Sequence, residues 1–434
     1  MSEDATLDEF VESSNDDTQE TTWEEHQLRK LVEQLQAGGT PDTDKDEYYG
    51  GDIPWVKTGE LGQLKIGSTE QSITEQGLEE STARLFPSKT VLIAMYGATT
   101  GEVSMLDTEA TTNQACCGII PDDRLLPHYL YYQLVHDKKQ LESLSAGSGQ
   151  QNISKSILEK FRVSLPPISE QRKIATVLHN VDQAIEKTED VINRLRRVQK
   201  GTLRNLFRNG VGEQSETKTT PMGQFPKDWE LKTMESVGTL INGDAFPKEY
   251  QGSSEGDYPF IKVSDTNDYR RYVSGAQNYI SQEIAEEVGC NIQPEGTVIL
   301  PKRGAAIMTN KRRILAQDSA IDNNQIGIVG EEVKPLFLYY YLSDVDMGRF
   351  VQEGAVKSLT KSLLSKVRVP VPPVEIQSKI VAILESIDKQ IETEKRVKTQ
   401  QERLKRGLMQ DLLSGTVRTT DTNIEVPEEI VQYG

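Results

Sequence analysis

The chain has 434 residues, too many for one ordinary core, so two domains are the starting expectation. Its 49 Lys and Arg stand against 67 Asp and Glu, a formal charge of −18, which excludes retention on nucleic acid by bulk charge and demands local basic patches for any such role. No run of 18 apolar residues and no basic-then-apolar leader occurs, and three cysteines, two of them adjacent (Cys116 and Cys117), cannot build a disulfide framework, so a cytoplasmic protein is expected.

Residues 1–21 read as a disordered acidic tail. The first 25 residues carry ten acids and no Lys or Arg, with too few apolar side chains to offset the entropy of ordering. Residues 22–165 are rich in Gly, Thr and Tyr, with short apolar runs such as TVLIAMYG and CCGIIP bounded by turn residues. These runs predict strands of a mixed sheet, with a short helix at PHYLYYQLV.

Residues 166–210 predict a long helix. Pro166-Pro167 bars helix before it, and Ser169 with Glu170-Gln171 offers a cap and a first-turn acid. Ile174, Leu178, Val181, Ile185, Thr188, Ile192 and Leu195 then alternate by four and three as a heptad seam, beside a second stripe of Val177, Ala184, Val191 and Val198. Gly210-Val211-Gly212 stops the helix, and residues 211–221 are a polar linker.

The remainder repeats the first part. Residues 222–371 carry TVILPKRG, IGIVG and PLFLYYYL in the same order, residues 372–415 form a second long helix and residues 416–434 a C-terminal tail. Pro166 matches Pro372, Gln171 matches Gln377, Ile174 matches Ile380, Leu178 matches Leu384 and Asp182 matches Asp388, all at an offset of 206. IPWVK at Ile53 to Lys57 faces YPFIK at Tyr258 to Lys262, LYYQL faces LYYYL, and Asn113-Gln114 faces Asn324-Gln325. A period this long repeats a whole domain with its connector. The expected fold class is α+β: two duplicated mixed α/β domains separated by two long helices, each ~60 Å at 1.5 Å per residue, that pack on each other as a coiled coil and leave a face for another protein.

The chain lacks catalytic signatures. It has no GxxxxGK[ST] phosphate loop, G-x-S-x-G elbow, HExxH helix or paired CxxC. His26, His128, His136 and His179 are scattered without ligand spacing, and the E-x-K triplets at Glu216-Lys218 and Glu230-Lys232 lack a convincing Asp partner. The Pro-Pro pairs are not preceded by Asn or Asp, as an amino-methyltransferase pocket requires. No catalytic residue, cofactor-binding residue or metal ligand is therefore assigned.

The order IPWVKTGEL, YGATTGEV, TTNQACCGII and SGQQNISKSILEKFRVSLPPISEQRKIA resembles one half of a specificity subunit of type I restriction–modification systems. YPFIKVSD through NNQIGIV to SLTKSLLSKVRVPVPPVEIQSKI resembles the other half, although Glu375-Ile376-Gln377 replaces the adjacent Glu-Gln pair of the first copy. The resemblance implies two target-recognition domains, each reading half of a bipartite double-stranded DNA site, separated by two long antiparallel helices that form a coiled-coil spacer and act as a ruler. It also implies partners that carry the chemistry: two modification (methyltransferase) subunits using S-adenosylmethionine, and ATP-dependent restriction/translocase subunits.

Base reading needs Arg, Lys, Asn, Gln and small hydroxyls aimed into a groove. The candidates in the first domain are Lys57, Thr58, Tyr96, Thr99, Thr100, Gln150, Gln151 and Asn152. In the second they are Lys262, Lys302, Arg303, Lys311, Arg312, Arg313 and Lys357, of which Lys302-Arg303 and the Lys311 to Arg313 run concentrate basic charge in an acidic chain. Asn113-Gln114 and Asn324-Gln325, shared by domains that should read different sequences, are expected to be structural, and Trp55 and Phe260 to be core. Arg194, Arg196, Arg197, Lys200, Arg204 and Arg208 form a basic run toward the end of the first helix, longer than the helix dipole needs, facing a modification subunit or the unread spacer DNA. Two other readings are the recognition partner of a fused nuclease–methyltransferase and a structural coiled-coil adaptor without DNA contact.

Overall fold

The structure, a computed structural model, describes residues 23–145, 152–212, 216–220, 223–309, 311–352 and 357–431. It divides into two units, one of Met1–Lys187 with Val397–Gly434 and one of Thr188–Arg396. The acidic tail at 1–21 lies outside the described residues.

Each unit holds a five-stranded mixed sheet with the same strand order. In the first the order is Val32–Ala37, Cys116–Pro121, Val91–Ala94, Val103–Leu106 and Lys65–Ile66. In the second it is Gly238–Asn242, Gln325–Gly330, Val298–Pro301, Arg313–Leu315 and Tyr272–Val273. The last pair in each is parallel and the others antiparallel. The Val91–Ala94 strand is buried at every position, as the apolar run TVLIA requires of a strand covered on both faces. A smaller sheet in each unit pairs Tyr49–Val56 in parallel with Ala110–Thr112, and Tyr258–Ile261 in parallel with Ala320–Ile321.

The short helix PHYLYYQLV runs Pro127–His136 and its counterpart Pro335–Asp344, each opened by a proline whose missing N–H costs nothing in a first turn. Both pack into the main cores, with Tyr129, Leu130, Tyr132, Phe337 and Leu338 inaccessible to solvent. Trp55 and Phe260 are core, as expected.

The long helices span Ile168–Asn209 and Val374–Leu413. The first starts one residue before the expected Ser169 cap: the N–H groups of Glu170 and Gln171 donate to the Pro167 carbonyl at 2.8 and 3.0 Å. Within the first unit Ile174 and Leu178 share a core with Met409, Leu412 and Leu413, and within the second Leu203, Leu206 and Phe207 share one with Ile380 and Leu384. With Lys405 Nζ meeting Asp182 at 2.6 Å in the first unit and Gln199 meeting Asp388 at 2.7 Å in the second, the helix segments within each unit run antiparallel. Of the second stripe, Val191 and Val198 are 40 and 53 % exposed, so the other helix does not cover them. Gly210 follows the first helix at φ 77° and Gly415 the second at φ 75°; a Cβ there would touch Trp229 and Trp23 respectively, each at 3.5 Å.

Two stretches outside the helices are more structured than the sequence suggests. Thr217–Thr220, read as linker, pairs with Gly223–Pro226 as a hairpin. The C-terminal stretch, read as a tail, includes the helical turn Glu428–Val431, whose Ile430 is fully buried in the first core.

Candidate nucleic-acid interface

The strands of each domain end in loops that backbone hydrogen bonds tie into one row. In the first domain Asn113 N–H donates to the Val56 carbonyl at 2.9 Å, Met95 N–H to Ala115 at 2.8 Å and Ile153 N–H to Met95 at 2.7 Å. Lys57, Tyr96 and Asn152 each stand next to one of these tied residues. In the second domain Asp322 N–H donates to Ile261 at 3.0 Å, Lys302 N–H to Asn324 at 2.8 Å, Leu359 N–H to Lys302 at 2.9 Å and Gly304 N–H to Lys357 at 3.0 Å. Lys262 and Arg303 likewise stand next to tied residues, and Lys357 is itself tied.

The register of these bonds corrects one sequence match. Asn113 is structurally equivalent to Asp322 and Cys116 to Gln325, since Cys116 faces Ala94 as Gln325 faces Pro301. The Asn-Gln pairs are therefore out of register by two residues. Gln325 is nonetheless structural: its buried amide donates to the Ile261 carbonyl at 2.7 Å and to Asp322 at 3.1 Å.

Lys57 and Lys262 occupy equivalent positions with equivalent anchors. The Lys57 N–H donates to Glu60 Oε2 at 2.7 Å and the Lys262 N–H to Asp265 Oδ2 at 2.9 Å, which ties the backbone of each half-buried lysine to the turn that follows it. Lys57 Nζ lies 5.5 Å from the Trp55 ring centroid, and Lys262 Nζ bonds Gln251 at 3.1 Å. Thr58 is half-buried at the head of the turn that Glu60 closes. Tyr96 is exposed and Thr99 half-buried, but Thr100 points inward and bonds the Gly97 carbonyl at 2.8 Å, so it braces the loop instead of reading bases. Asn152 is half-buried; Gln150 and Gln151 lie outside the described residues.

In the second domain the basic clusters separate into different tasks. Arg312 is 2 % exposed, donates to the Lys311 carbonyl at 2.9 Å, and is pushed down to about 10 by burial. A guanidinium enclosed this way cannot reach a groove, so its place in the sequence reading gives way to a structural one. Arg313 is half-buried and donates to the carbonyls of Thr266 at 3.0 Å and Arg312 at 2.7 Å. Lys311 bonds Asn267, and Lys302 bonds Asn242 at 3.1 Å with its pKa lowered by burial and then by Arg303. Arg303 and Lys357 are exposed and make no side-chain hydrogen bond or ion pair among the described residues.

The sequence reading passed over Arg270-Arg271. Both guanidiniums grip Asp388, and they continue to Glu392 at 2.7 Å and Glu385 at 3.0 Å, which straps their loop to the second long helix. A basic pair is ambiguous in sequence, because only its neighbours decide between a solvent patch and an internal strap. Among the described residues no group of three or more His, Cys, Asp or Glu could hold a metal ion, and no helix is long and apolar enough to cross a membrane.

Comparison with known proteins decides the family. The type I restriction modification DNA specificity domain matches twice, over residues 20–197 and 226–403, once for each repeat. The chain belongs to this family. It is a type I restriction–modification specificity subunit with two target-recognition domains, and the catalytic activities of such a system lie in partner chains. It is similar to the MjaIX specificity subunit of Methanocaldococcus jannaschii, 25 % identical over 92 % of this chain and 94 % of the relative. The putative MjaX specificity subunit of the same organism is 27 % identical over 91 and 94 %. Among solved structures, a chain from work on complex assembly and conformational transition of the type I R-M system aligns with a TM-score of 0.59, at 16 % identity over 92 % of this chain and 99 % of its own. The S subunit of M. genitalium aligns with a TM-score of 0.52 at 16 % identity, over 91 and 97 %. These structures share the fold of this specificity subunit.

Proposed function

We propose that this chain selects the DNA site of a type I restriction–modification complex, with each target-recognition domain reading one half of a bipartite double-stranded sequence. The observation that carries this reading is the loop row built twice on one scaffold but furnished with different side chains. Lys57, Thr58, Tyr96, Thr99 and Asn152 furnish the first; Lys262, Lys302, Arg303, Lys311 and Lys357 furnish the second. Two copies of one frame that share Lys57 and Lys262 but differ at other loop positions, Tyr96 against Arg303 among them, suit two different half-sites, since phosphate contacts position a reader and base-edge contacts specify the sequence.

The two long helices, 42 and 40 residues, act as the ruler between the readers and dock two modification (methyltransferase) subunits, which bind S-adenosylmethionine. Restriction/translocase subunits using ATP complete the assembly, which works in the cytoplasm. The acidic balance of the chain is compatible with this division, because partner chains can supply much of the grip on phosphate. Base-resolved methylation mapping of cells with the gene intact and deleted tests the proposal. A split motif with an unread gap should lose its methyladenine on deletion, and an unchanged set of motifs would sink the reading.

A further inference from the structure

We infer that Arg303 reads a guanine in the half-site of the second target-recognition domain, and that Tyr96, at the same scaffold position of the first, gives the other half a different preference. This rests on the function proposed above and narrows it to one pair of residues.

Equivalence of the two positions follows from the backbone. Each residue lies two positions past the same central strand, after a residue whose N–H is tied to the neighbouring loop (Met95 to Ala115, Lys302 to Asn324) and whose carbonyl is tied, by Ile153 and by Leu359, to the segment just before the helices Lys155–Lys160 and Lys361–Ser365. Each is followed by a glycine in the left-handed region, Gly97 at φ 100° and Gly304 at φ 66°, and a Cβ on either glycine would meet nothing within 4 Å. The side chain thus stands at a rigid base beside open space, which is what close approach of another molecule requires. Both side chains are exposed and make no side-chain hydrogen bond or ion pair among the described residues.

Among the basic clusters of the second domain, Arg303 is set apart. Lys302, Lys311 and Arg313 are engaged with Asn242, Asn267 and two carbonyls, and Arg312 is buried. A free guanidinium on a fixed backbone presents the fork that matches guanine O6 and N7 in the major groove. Tyr96 has a neutral hydroxyl and a ring and cannot make that paired contact, so one scaffold position yields two preferences.

The test uses the complete complex in cells, with methyladenine mapped at base resolution for the wild-type chain and for Arg303→Gln, Arg303→Lys and Tyr96→Ala. Arg303→Gln should lower the preference for guanine at one position of one half-site by about tenfold to a hundredfold, leaving the other half unchanged. Arg303→Lys, which keeps the charge without the fork, should show a smaller loss at that same position, and Tyr96→Ala should alter only the opposite half. The intact half-site reports that each variant folds and assembles. If Arg303→Gln leaves both halves unchanged while the wild type marks a split motif, the inference is wrong and the proposed function stands. A uniform fall in methylation without a change of motif would make Arg303 a phosphate contact and equally overturn it. If Arg303→Gln abolishes methylation, purified complexes are titrated against duplexes substituted at each position; equal weakening for every duplex overturns the inference, and selective loss at one guanine supports it. Absence of any split motif with the wild-type chain brings down both readings.

Discussion

Glu170, 1 % exposed at the first turn of the first long helix, accepts hydrogen bonds from the Arg418 guanidinium at 2.9 and 2.8 Å and from the Thr419 N–H at 3.1 Å. Lys173 follows on the same helix, its ammonium donating to the carbonyls of Thr419 at 3.0 Å and of Thr420 and Thr422 at 2.8 Å. Arg418 also lies 5.1 Å from the Trp23 ring centroid. The chain beyond the second long helix is thus fastened to the start of the first. The second repeat has Ile376 at the position of Glu170, so what looks in sequence like a dispensable first-turn charge is an anchor used once.

Removing one side of this pair should release the anchored segment. Arg418→Ala leaves a buried carboxylate without its guanidinium and should cost about 2–4 kcal/mol locally, read as faster hydrogen exchange over residues 416–431. Burial alone would raise the Glu170 pKa, but Arg418 and the Thr419 N–H outweigh it and hold the carboxyl below its ordinary value. Stability from a depressed carboxyl is complete above its unfolded pKa, near ~4.3, and is lost as pH falls through the folded one. Acid should therefore loosen the segment in the wild type, and Glu170→Gln should abolish that step at the cost of weaker anchoring at neutral pH. Equal exchange in Arg418→Ala and wild type would refute this role.

Gln171 and Gln377 are one device used twice. Gln171 Oε1 accepts from the Leu126 N–H at 2.8 Å while its amide nitrogen donates to the carbonyls of Arg124 at 2.8 Å and Pro166 at 2.9 Å. Gln377 treats Lys334, Glu332 and Pro372 identically, at 2.9, 3.2 and 3.1 Å. Each glutamine joins the long helix to the residue before the short buried helix. Gln171→Leu or Gln377→Leu strands buried backbone groups and should cost about 2–4 kcal/mol in its own unit. Loss of exchange protection at the Leu126 or Lys334 amide is the direct readout, and unchanged protection would contradict the assignment.

These cases show what the sequence could and could not reveal. Repetition at a fixed offset made Gln171 and Gln377 visible as matched residues, and 3.6-residue periodicity gave the helices and their buried seam through Ile174, Leu178, Ile380 and Leu384. Their partners were not visible, because a side-chain bond to Leu126 or Thr419 joins residues whose separation leaves no periodic trace. The candidate interface divides in the same way. Exposed loop residues such as Tyr96 and Arg303 were found by residue type beside strand ends, but Arg312 and Arg303 look alike in sequence, and only packing shows one enclosed and the other free. Loop insertions also shift the offset between repeats, which is how Asn113 came to be matched with Asn324 instead of Asp322.

Asp182, half-buried, and its buried counterpart Asp388 supply an internal comparison of carboxylates. Asp182 accepts from Tyr132 at 2.9 Å and meets Lys405 at 2.6 Å, whereas Asp388 accepts from Tyr340 at 2.6 Å and Gln199 at 2.7 Å and also holds Arg270 and Arg271. Asp388→Ala removes the carboxylate that both guanidiniums share, leaving Arg270 with Glu392 and the mostly buried Arg271 with Glu385 and Tyr340, and should cost about 3–5 kcal/mol in the second unit; Asp182→Ala should cost about 1–3 kcal/mol in the first. Denaturant unfolding of the two variants checks the order. Equal or reversed losses would mean that the Arg270-Arg271 strap contributes little.

His128 should make the first unit sensitive to mild acid. It is 1 % exposed, and its pKa is pushed down to about 4 by burial first, then by the nearby Lys65 and His179 and more weakly Lys89, with Glu429 opposing. A histidine whose folded pKa lies below its unfolded value contributes stability that is complete above the unfolded pKa, near ~6.5, and lost as pH falls toward the folded one. Between those limits each pH unit should remove about 1.4 kcal/mol from the unfolding free energy through this group. His128→Leu should reduce the slope in that part of the profile, leaving the contribution of His179, whose pKa burial also lowers, and the acid response of Glu170 in place. Urea unfolding at pH 7.5, 6.0 and 5.0 measures the slope, and the same slope in the variant as in the wild type would exclude His128 as its source.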